Sequence, residues 1–205
     1  MPSTHSWRSR LFRWSAELLL VFLGAYAAFW LTNHQERVEQ RHRRQQIVAA
    51  LEDQSSADLA SAKAERERVG KIVAEFKRAL AAGEMPPPKP LAFNTGYSAT
   101  DIATLLQSGG YQLLDIKTLV ALHQLETVLR SGISMMTHAQ QLSDALIAPN
   151  LDQDITFFYD PATKQLHKRF ARYIDALDLF DNFYDDYIKA ETELLTQLHA
   201  ERQKQ

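Results

Sequence analysis

The sequence predicts an all-α protein in which an N-terminal transmembrane helix continues into a long helix, packed with an antiparallel helical bundle of about four to five helices. Three observations carry this prediction. One stretch near the N-terminus is almost wholly apolar, and apolar residues elsewhere recur at alternating spacings of three and four positions. No segment combines period-two alternation with flanking turn residues, the pattern that predicts a strand.

The apolar stretch covers residues 14–33, WSAELLLVFLGAYAAFWLTN, in which Glu17 is the one charged residue. A helix of roughly 20 residues crosses a hydrocarbon core of about 30 Å. Trp14 and Trp30 lie near its two ends, where the headgroup layer favours amphipathic rings. We therefore predict a retained transmembrane helix over residues 14–33, with a cleaved signal peptide and a soluble core helix as the alternatives.

Arginines flank this segment on both sides and predict contact with lipid headgroups. A basic tail covers residues 1–13, and a second basic cluster follows the segment. The predicted membrane-interface anchors are Arg8, Arg10, Arg13, Trp14, Trp30, Arg37, Arg41, Arg43 and Arg44. The two clusters carry nearly equal positive charge, so the charge difference across the predicted span is small. We predict a bacterial inner membrane as the location, with the N-terminus in the cytoplasm and the C-terminal domain in the periplasm.

Three residues of the predicted span are candidates for an intramembrane contact: Glu17, Gly24 and Ala28. An ionisable side chain within a span is costly unless it is hydrated or paired. Glu17 lies near the first turn, so it serves either as an interfacial helix start or as a contact to a partner helix or ion. Gly24 and Ala28 are small residues four positions apart, a spacing that permits close approach of a second helix.

Residues 34–84 predict one long charged helix, because Glu, Arg, Ala and Gln dominate and proline is missing. Its apolar face is well formed from Val69 onward, and its first turns carry few apolar groups. Gly83 and the prolines that follow end the helix. Residues 85–97 are accordingly predicted as a Pro-rich connector of extended conformation.

Residues 98–205 predict the remainder of the bundle, which packs with residues 55–82. Ser98 begins a capping box that opens a short helix, and a further helix runs from Leu113 to a break or kink at Gly132. The last helix has the clearest period, with seam positions Leu166, Phe170, Tyr173, Leu177, Phe180, Tyr184, Tyr187, Glu191, Leu194 and Leu198. This period places one seam on one face, so we expect the helix to return antiparallel along the first long helix.

The loop before the last helix contains an aromatic run, Phe157, Phe158 and Tyr159. We expect these rings to fold back onto the bundle, and they are also the predicted source of an exposed patch for a protein partner.

No residue pattern identifies a catalytic, cofactor-binding or metal site. The chain has no cysteine and no glycine-rich phosphate loop, and its net charge of −2 gives no reason to expect a nucleic-acid partner. His123 and Glu126 are spaced for one helix face but lack the further ligands of a bundle metal site. Asp178 and Asp185 align on one side of the last helix, where a solvated or ion-paired face is favoured over a bridging cation. We expect no enzyme and no cofactor.

A resemblance rests on two parts of the chain. The first comprises Glu17, Val21, Gly24, Ala28, Asn33, Glu36 and Arg37, and the second is LLQSGGYQLLDIKTLVAL, residues 105–122. Together they resemble a widespread family of uncharacterised bacterial single-pass membrane proteins, a domain of unknown function with a Glu-led N-terminal span and a helical C-terminal domain. His34 departs from that pattern, since those proteins often place Trp there. The resemblance implies a membrane-anchored helical domain and brings no catalytic residues with it.

We therefore expect a membrane-anchored helical interaction or scaffold protein, whose partners are the lipid bilayer and either another protein or a second copy of the chain. The alternative is an extracytoplasmic, sensor-like bundle that binds a small ligand and acts through a partner chain. That alternative predicts a pocket lined by His123 together with Tyr173, Tyr184 and Tyr187. A metal-assisted enzyme is the remaining hypothesis, and it requires several of the acidic and histidine side chains to converge on one cleft.

Overall fold

The computed structural model describes residues 5–90 and 110–204, with the backbone alone for residues 5–13, 15, 16, 180 and 181. Three α-helices occur in these ranges: α1 (His5–Ala81), α2 (Ile116–Leu146) and α3 (Ala171–Arg202). Four short 3₁₀ helices cover Gly110–Leu113, Ala148–Asn150, Ile155–Phe157 and Lys168–Phe170. No strand forms in the described ranges, so the all-α prediction is confirmed, with about three helices in place of four to five. The short helix predicted after Ser98 lies outside the described residues.

The chain divides into two compact units, residues 1–46 and residues 47–205. In the first unit, α1 exposes every described side chain from Trp14 to Thr32. The second unit contains the rest of α1 together with α2 and α3. Within residues 5–90 and 110–204, none of the helices combines the length and the apolar character that crossing a membrane requires.

Helix α1 ends where the sequence predicts, at a glycine. Gly83 has a φ of +73°, a left-handed conformation that favours glycine because it has no Cβ. Its N–H donates to the carbonyl of Leu80 at 3.0 Å, and the N–H of Glu84 donates to the carbonyl of Ala79 at 2.9 Å. These two bonds form a Schellman motif, which satisfies carbonyls that the last turn leaves open.

Helix α3 runs antiparallel to the part of α1 that belongs to the second unit. Arg202 near the end of α3 donates to Glu52 at 2.8 Å, and Asp178 near its start pairs with Lys77. Residue numbers therefore rise along α1 as they fall along α3. The predicted antiparallel return of the last helix is confirmed.

Helix α2 is also antiparallel to α3, and hence parallel to α1. Thr118 in the first turn of α2 donates to Glu201 near the end of α3 at 2.5 Å. About halfway along α2, Gly132 faces Phe183 of α3. The end of α1 and the start of α2 therefore lie at opposite ends of α3.

The core of the second unit follows the predicted seam of α3. Its buried positions are Phe170, Tyr173, Leu177, Tyr184, Tyr187, Glu191, Leu194 and Leu198. Leu166 is half-buried, and the side chain of Phe180 is outside the described ones. On α1 the buried face begins at Ile47 and Val48, earlier than the predicted start at residue 55.

Gly132 does not break α2, which is helical from Ile116 to Leu146. A Cβ at this position would lie 1.8 Å from Cε2 of Phe183. The glycine therefore admits an aromatic ring of α3 against the backbone of α2. A single sequence shows the helix-weakening residue but not the ring that occupies its place.

The loop between α2 and α3 folds back onto the bundle as predicted. Tyr159 pairs with Leu166 across a tight antiparallel turn, and His167 donates its N–H to the carbonyl of Phe158 at 2.9 Å. Phe158 is 3% exposed and Tyr159 is fully buried. The predicted exposed patch of Phe157, Phe158 and Tyr159 is therefore wrong, because two of its three rings are in the core.

Candidate interaction site

The first unit presents an apolar segment, residues 18–31 of α1, with no protein cover among the described residues. Its large side chains are exposed by between 52% (Leu31) and 71% (Leu20) of their surface. Six consecutive members, Leu18 to Leu23, advance by about 100° each and therefore cover the whole circumference of the helix. A helix that is apolar on every side differs from an amphipathic helix, which needs cover on one face only.

Polar and aromatic groups border the apolar segment. Trp14 and Trp30 are both exposed, and the ring of Trp30 stacks on His34 with a centroid distance of 5.6 Å. Arg37, Arg41 and Arg43 are exposed on the following turns. Arg44 is half-buried, and the side chains of Arg8, Arg10 and Arg13 lie outside the described ones. This is an arrangement of apolar surface between aromatic and cationic ends.

The three candidates for an intramembrane contact are open on the surface of α1. Glu17 is exposed, and a Cβ added to Gly24 would meet no atom within 4 Å. The carbonyl of Ala28 accepts a hydrogen bond from the hydroxyl of Thr32 at 3.0 Å, a bond internal to the helix. A contact to a second helix at these residues stays a prediction.

The second unit carries a groove between α2 and α3, which we name the α2–α3 groove, with a volume of about 920 Å³. Its floor is apolar, formed by the buried Ala121 and the half-buried Val128 and Ala190. Two apolar residues on its α2 side are strongly exposed, Ile116 by 74% and Val120 by 51%. They are four positions apart and therefore form one stripe along α2.

Charges of both signs line the rim of the α2–α3 groove. Lys117 comes from α2, while Asp186, Lys189 and Glu193 come from α3. Glu193 accepts a hydrogen bond from Gln197 at 2.7 Å. The salt bridges between described residues involve none of these four side chains. The rim thus holds two cations and two anions without ionic partners in the described part of the chain.

The sensor hypothesis required tyrosines and His123 to share one pocket, and the described residues do not bring them together. Tyr173, Tyr184 and Tyr187 are buried in the core, whereas His123 lines the α2–α3 groove. Glu126, the expected companion of His123, accepts instead from Arg130 at 2.6 Å.

The aligned aspartates of α3 reach basic residues of α1. Asp185 pairs with Arg66 at 2.6 Å, and Asp178 pairs with Lys77. Within the described ranges, no group of three His, Asp or Glu side chains is placed to hold a metal ion.

A set of buried carboxylates lies outside the sites that the sequence predicts. Glu191 is fully buried between α1 and α3. Its Oε2 accepts from the hydroxyl of Ser55 at 2.6 Å, and its Oε1 accepts from the hydroxyl of Tyr187 at 3.0 Å. Burial raises the pKa of Glu191 to about 7, the two hydrogen bonds act against this, and the charge of Asp58 adds to it. The signal was present in the sequence, since Glu191 occupies a seam position between Tyr187 and Leu194.

Glu201 joins α3 to the start of α2. This buried carboxylate accepts from the hydroxyl of Thr118 at 2.5 Å and from the backbone N–H of Asp115 at 3.2 Å. Asp115 is the N-cap residue of α2, yet its own side chain makes no capping bond. A carboxylate from a neighbouring helix therefore supplies acceptors at a helix N-terminus, where negative charge is favourable.

Two buried tyrosines hold the beginning of the Pro-rich connector. The hydroxyl of Tyr159 donates to the carbonyl of Pro86 at 2.7 Å, and that of Tyr173 donates to the carbonyl of Lys89 at 2.7 Å. The N–H of Lys89 also donates to the Tyr173 hydroxyl at 3.3 Å. Burial raises the pKa of each hydroxyl to about 12, so both remain neutral donors.

Comparison with known proteins adds no family to this description. No protein-family model, curated protein or solved structure matches the chain. The resemblance to a family of uncharacterised bacterial single-pass membrane proteins therefore stays a prediction from the residues that carry it.

Proposed function

We propose that this chain is a single-pass membrane protein whose second unit is a helical interaction module. The observation that carries the proposal is the apolar segment of residues 18–31, which exposes large apolar side chains around the whole circumference of α1. Such a surface is unfavourable in water and favourable in hydrocarbon. A bacterial inner membrane is the environment that we propose for it.

The borders of the segment support a membrane environment. Trp14 and Trp30 suit the headgroup layer, and Arg37, Arg41 and Arg43 supply cations for anionic lipids on one side. The support comes from exposure and from the order of residues along the helix. An amphipathic helix lying on the membrane would need a polar face, and residues 18–23 contain no polar residue.

The second unit supports a role in binding rather than in reaction chemistry. Its described buried carboxylates each accept a hydrogen bond from a donor of the bundle itself: Glu191 from Ser55, Glu201 from Thr118, and Glu52 from Arg202 through Oε2 alone. Groups engaged in this way position helices. Among the described residues, the α2–α3 groove offers uncovered apolar area at Ile116 and Val120.

The test is a pair of reporter fusions to Gln205, one active only in the cytoplasm and one active only in the periplasm, combined with alkaline extraction of membranes. We expect the full chain to remain in the membrane after extraction and the periplasmic reporter to be active. Release of the chain by alkali would contradict a spanning helix. Activity of the cytoplasmic reporter would reverse the proposed orientation and make Arg37, Arg41 and Arg43 the inside-positive anchor.

A further inference from the structure

We propose that the α2–α3 groove is the interface through which two copies of this chain associate, so that the partner of the module is a second copy. This inference rests on the proposed function, because a shared membrane brings copies together, but it is carried by the groove itself. The groove combines an exposed apolar stripe with a rim of balanced charge in one continuous surface.

The apolar stripe explains why the groove needs cover. Ile116 and Val120 expose most of their side-chain surface next to the half-buried Val128 and Ala190. Burying a large aliphatic side chain is favourable, so covering both residues would stabilise the associated state. A helix laid into the groove would remove them from water and complete a four-helix arrangement around α2 and α3.

The charged residues on the rim of the α2–α3 groove favour a second copy of the chain as its occupant. On the α2 side of the groove the charged residue is Lys117, whereas the α3 side carries the anions Asp186 and Glu193 around Lys189. In a two-fold symmetric dimer each contact occurs twice with the roles exchanged. The basic α2 rim of one copy can therefore meet the acidic α3 rim of the other, and the reverse contact forms at the same time.

A strongly acidic or a strongly basic partner fits this surface less well. The net charge of the rim is zero, because two lysines balance one aspartate and one glutamate. A partner of one sign would gain two contacts and suffer two repulsions. A surface with the same balance of signs avoids this, and a second copy of the chain has that surface.

Confinement to a membrane strengthens the association without any further contact. Two anchored copies share a thin layer, which raises their effective concentration relative to chains in solution. An interface of modest size can then be occupied. The second copy also explains how a surface that exposes Ile116 by 74% is tolerated in the cell.

Cysteine cross-linking in native membranes tests the interface directly, because the chain has no cysteine of its own. Val120→Cys places a thiol on the apolar stripe, and Ser56→Cys places one on an exposed position of α1 that does not line the groove. Under mild oxidation we expect the covalent dimer from the Val120 variant to exceed that from the Ser56 variant by about tenfold, the ratio set by local effective concentration. Equal yields would overturn the proposal, because they would report random collision in the membrane.

A charge exchange distinguishes a second copy from any other occupant. One form carries Lys117→Glu, and the other carries Asp186→Lys with Glu193→Lys; all three positions are exposed, so folding is preserved. Each form alone juxtaposes like charges across a symmetric interface, whereas the mixed pair restores attraction at both contacts. With two affinity tags, we expect co-purification of the mixed pair and loss of self-association for each form alone. Loss in the mixed pair as well, with helical content unchanged, would assign the groove to a different partner and refute the proposal.

Failure of this inference can be told from failure of the proposed function. Membrane extraction and the Gln205 reporters test the anchor and do not depend on association. If the chain stays in the membrane but gives no Val120-specific dimer, the membrane anchor is supported and the interface is refuted. A chain that leaves the membrane but still forms the dimer keeps the interface and loses the anchor.

Discussion

The two units of this protein place opposite kinds of side chain in unusual surroundings. In the first unit, Leu20 exposes 71% of its surface. In the second unit, the carboxyl group of Glu191 is fully buried. Helix α1 contributes residues to both units, so the difference does not come from backbone conformation. It comes from what surrounds the helix.

The comparison shows that one helix can satisfy two different requirements along its length. From Ile47 onward the apolar face of α1 is covered by protein, and buried polar groups such as Ser55 find partners there. Before residue 47 the described large apolar side chains have no such cover, and a lipid environment would supply it. The most informative experiments therefore change the polarity or packing of side chains in one unit and leave the other unit unchanged.

The largest effect is expected from substitutions that place charges within the apolar segment of the first unit. In Leu20→Arg/Leu23→Arg, each arginine costs about 2.5–3.5 kcal/mol at the centre of a membrane helix, so the two together remove stable insertion. Membrane fractionation should find the variant outside the membrane or degraded. Val38→Arg, an exposed apolar position beyond the segment, serves as the control and should fractionate like the native chain. Retention of the double variant in alkali-washed membranes would refute an anchoring role for residues 18–31.

The next effect concerns the buried carboxyl of the second unit and its pH dependence. The pKa of Glu191 is about 7 in the folded chain against an ordinary value of 4.5. The folded state therefore holds the proton between these pH values, so the stabilisation is complete below about pH 4.5 and is lost as pH rises through 7. The full loss corresponds to about 3 kcal/mol in the free energy of unfolding.

Glu191→Gln is neutral at every pH and should remove this part of the pH dependence. Above pH 7 we expect the variant to be more stable than the native chain by up to about 3 kcal/mol, with the two converging in acid. Chemical denaturation in detergent micelles, followed by circular dichroism at several pH values, measures the difference. Glu75→Gln removes an exposed carboxyl of α1 and should leave the native pH profile in place. Parallel profiles for native and Glu191→Gln chains would show that Glu191 has the same pKa in the folded and unfolded chains.

A smaller effect tests the close contact between α2 and α3. Gly132→Ala improves helix propensity by about 1 kcal/mol but forces its Cβ against the ring of Phe183. Overpacking of this kind costs about 1–3 kcal/mol, so we expect net destabilisation in the same denaturation experiment. Adding Phe183→Leu should recover part of the loss, because it removes the ring edge. A more stable Gly132→Ala variant would mean that Phe183 moves away freely.

The smallest effect tests the attachment of the Pro-rich connector. Tyr173→Phe keeps the buried ring and removes the hydroxyl that bonds both backbone groups of Lys89. A hydrogen bond of this type contributes about 1 kcal/mol, so amide exchange at Lys89 should quicken by about fivefold. Tyr111→Phe, at an exposed position, should leave that exchange rate unchanged. Unaltered exchange in Tyr173→Phe would show that the connector is held by other contacts.

Much of the fold was predictable because the spacing of residues over a few turns predicts a helix and its apolar face. The alternating spacing of α3 predicted its buried seam from Tyr173 to Leu198 and its antiparallel packing on α1. Gly83 predicted the end of α1, since a left-handed terminal residue is a local requirement. The apolar segment was equally visible, because six consecutive apolar residues cover all sides of a helix whatever surrounds it.

The candidate interaction site was less predictable, because it depends on which helix faces meet. The sequence pointed to the aromatic run at Phe158 and Tyr159, but these rings complete the core instead. The stripe of Ile116 and Val120 has the same spacing as a core face, and only the position of α3 leaves it exposed beside a groove.

The sequence by itself determined that the described chain is helical, that α1 ends at Gly83, and which face of α3 is apolar. These properties depend on spacing over a few turns and on the chemistry of each residue. The tertiary structure alone decided that Gly132 receives the ring of Phe183 and that Glu191 meets Ser55, residues far apart in the chain. Such pairings follow from the relative placement of whole helices, where small changes of rotation bring different side chains into contact.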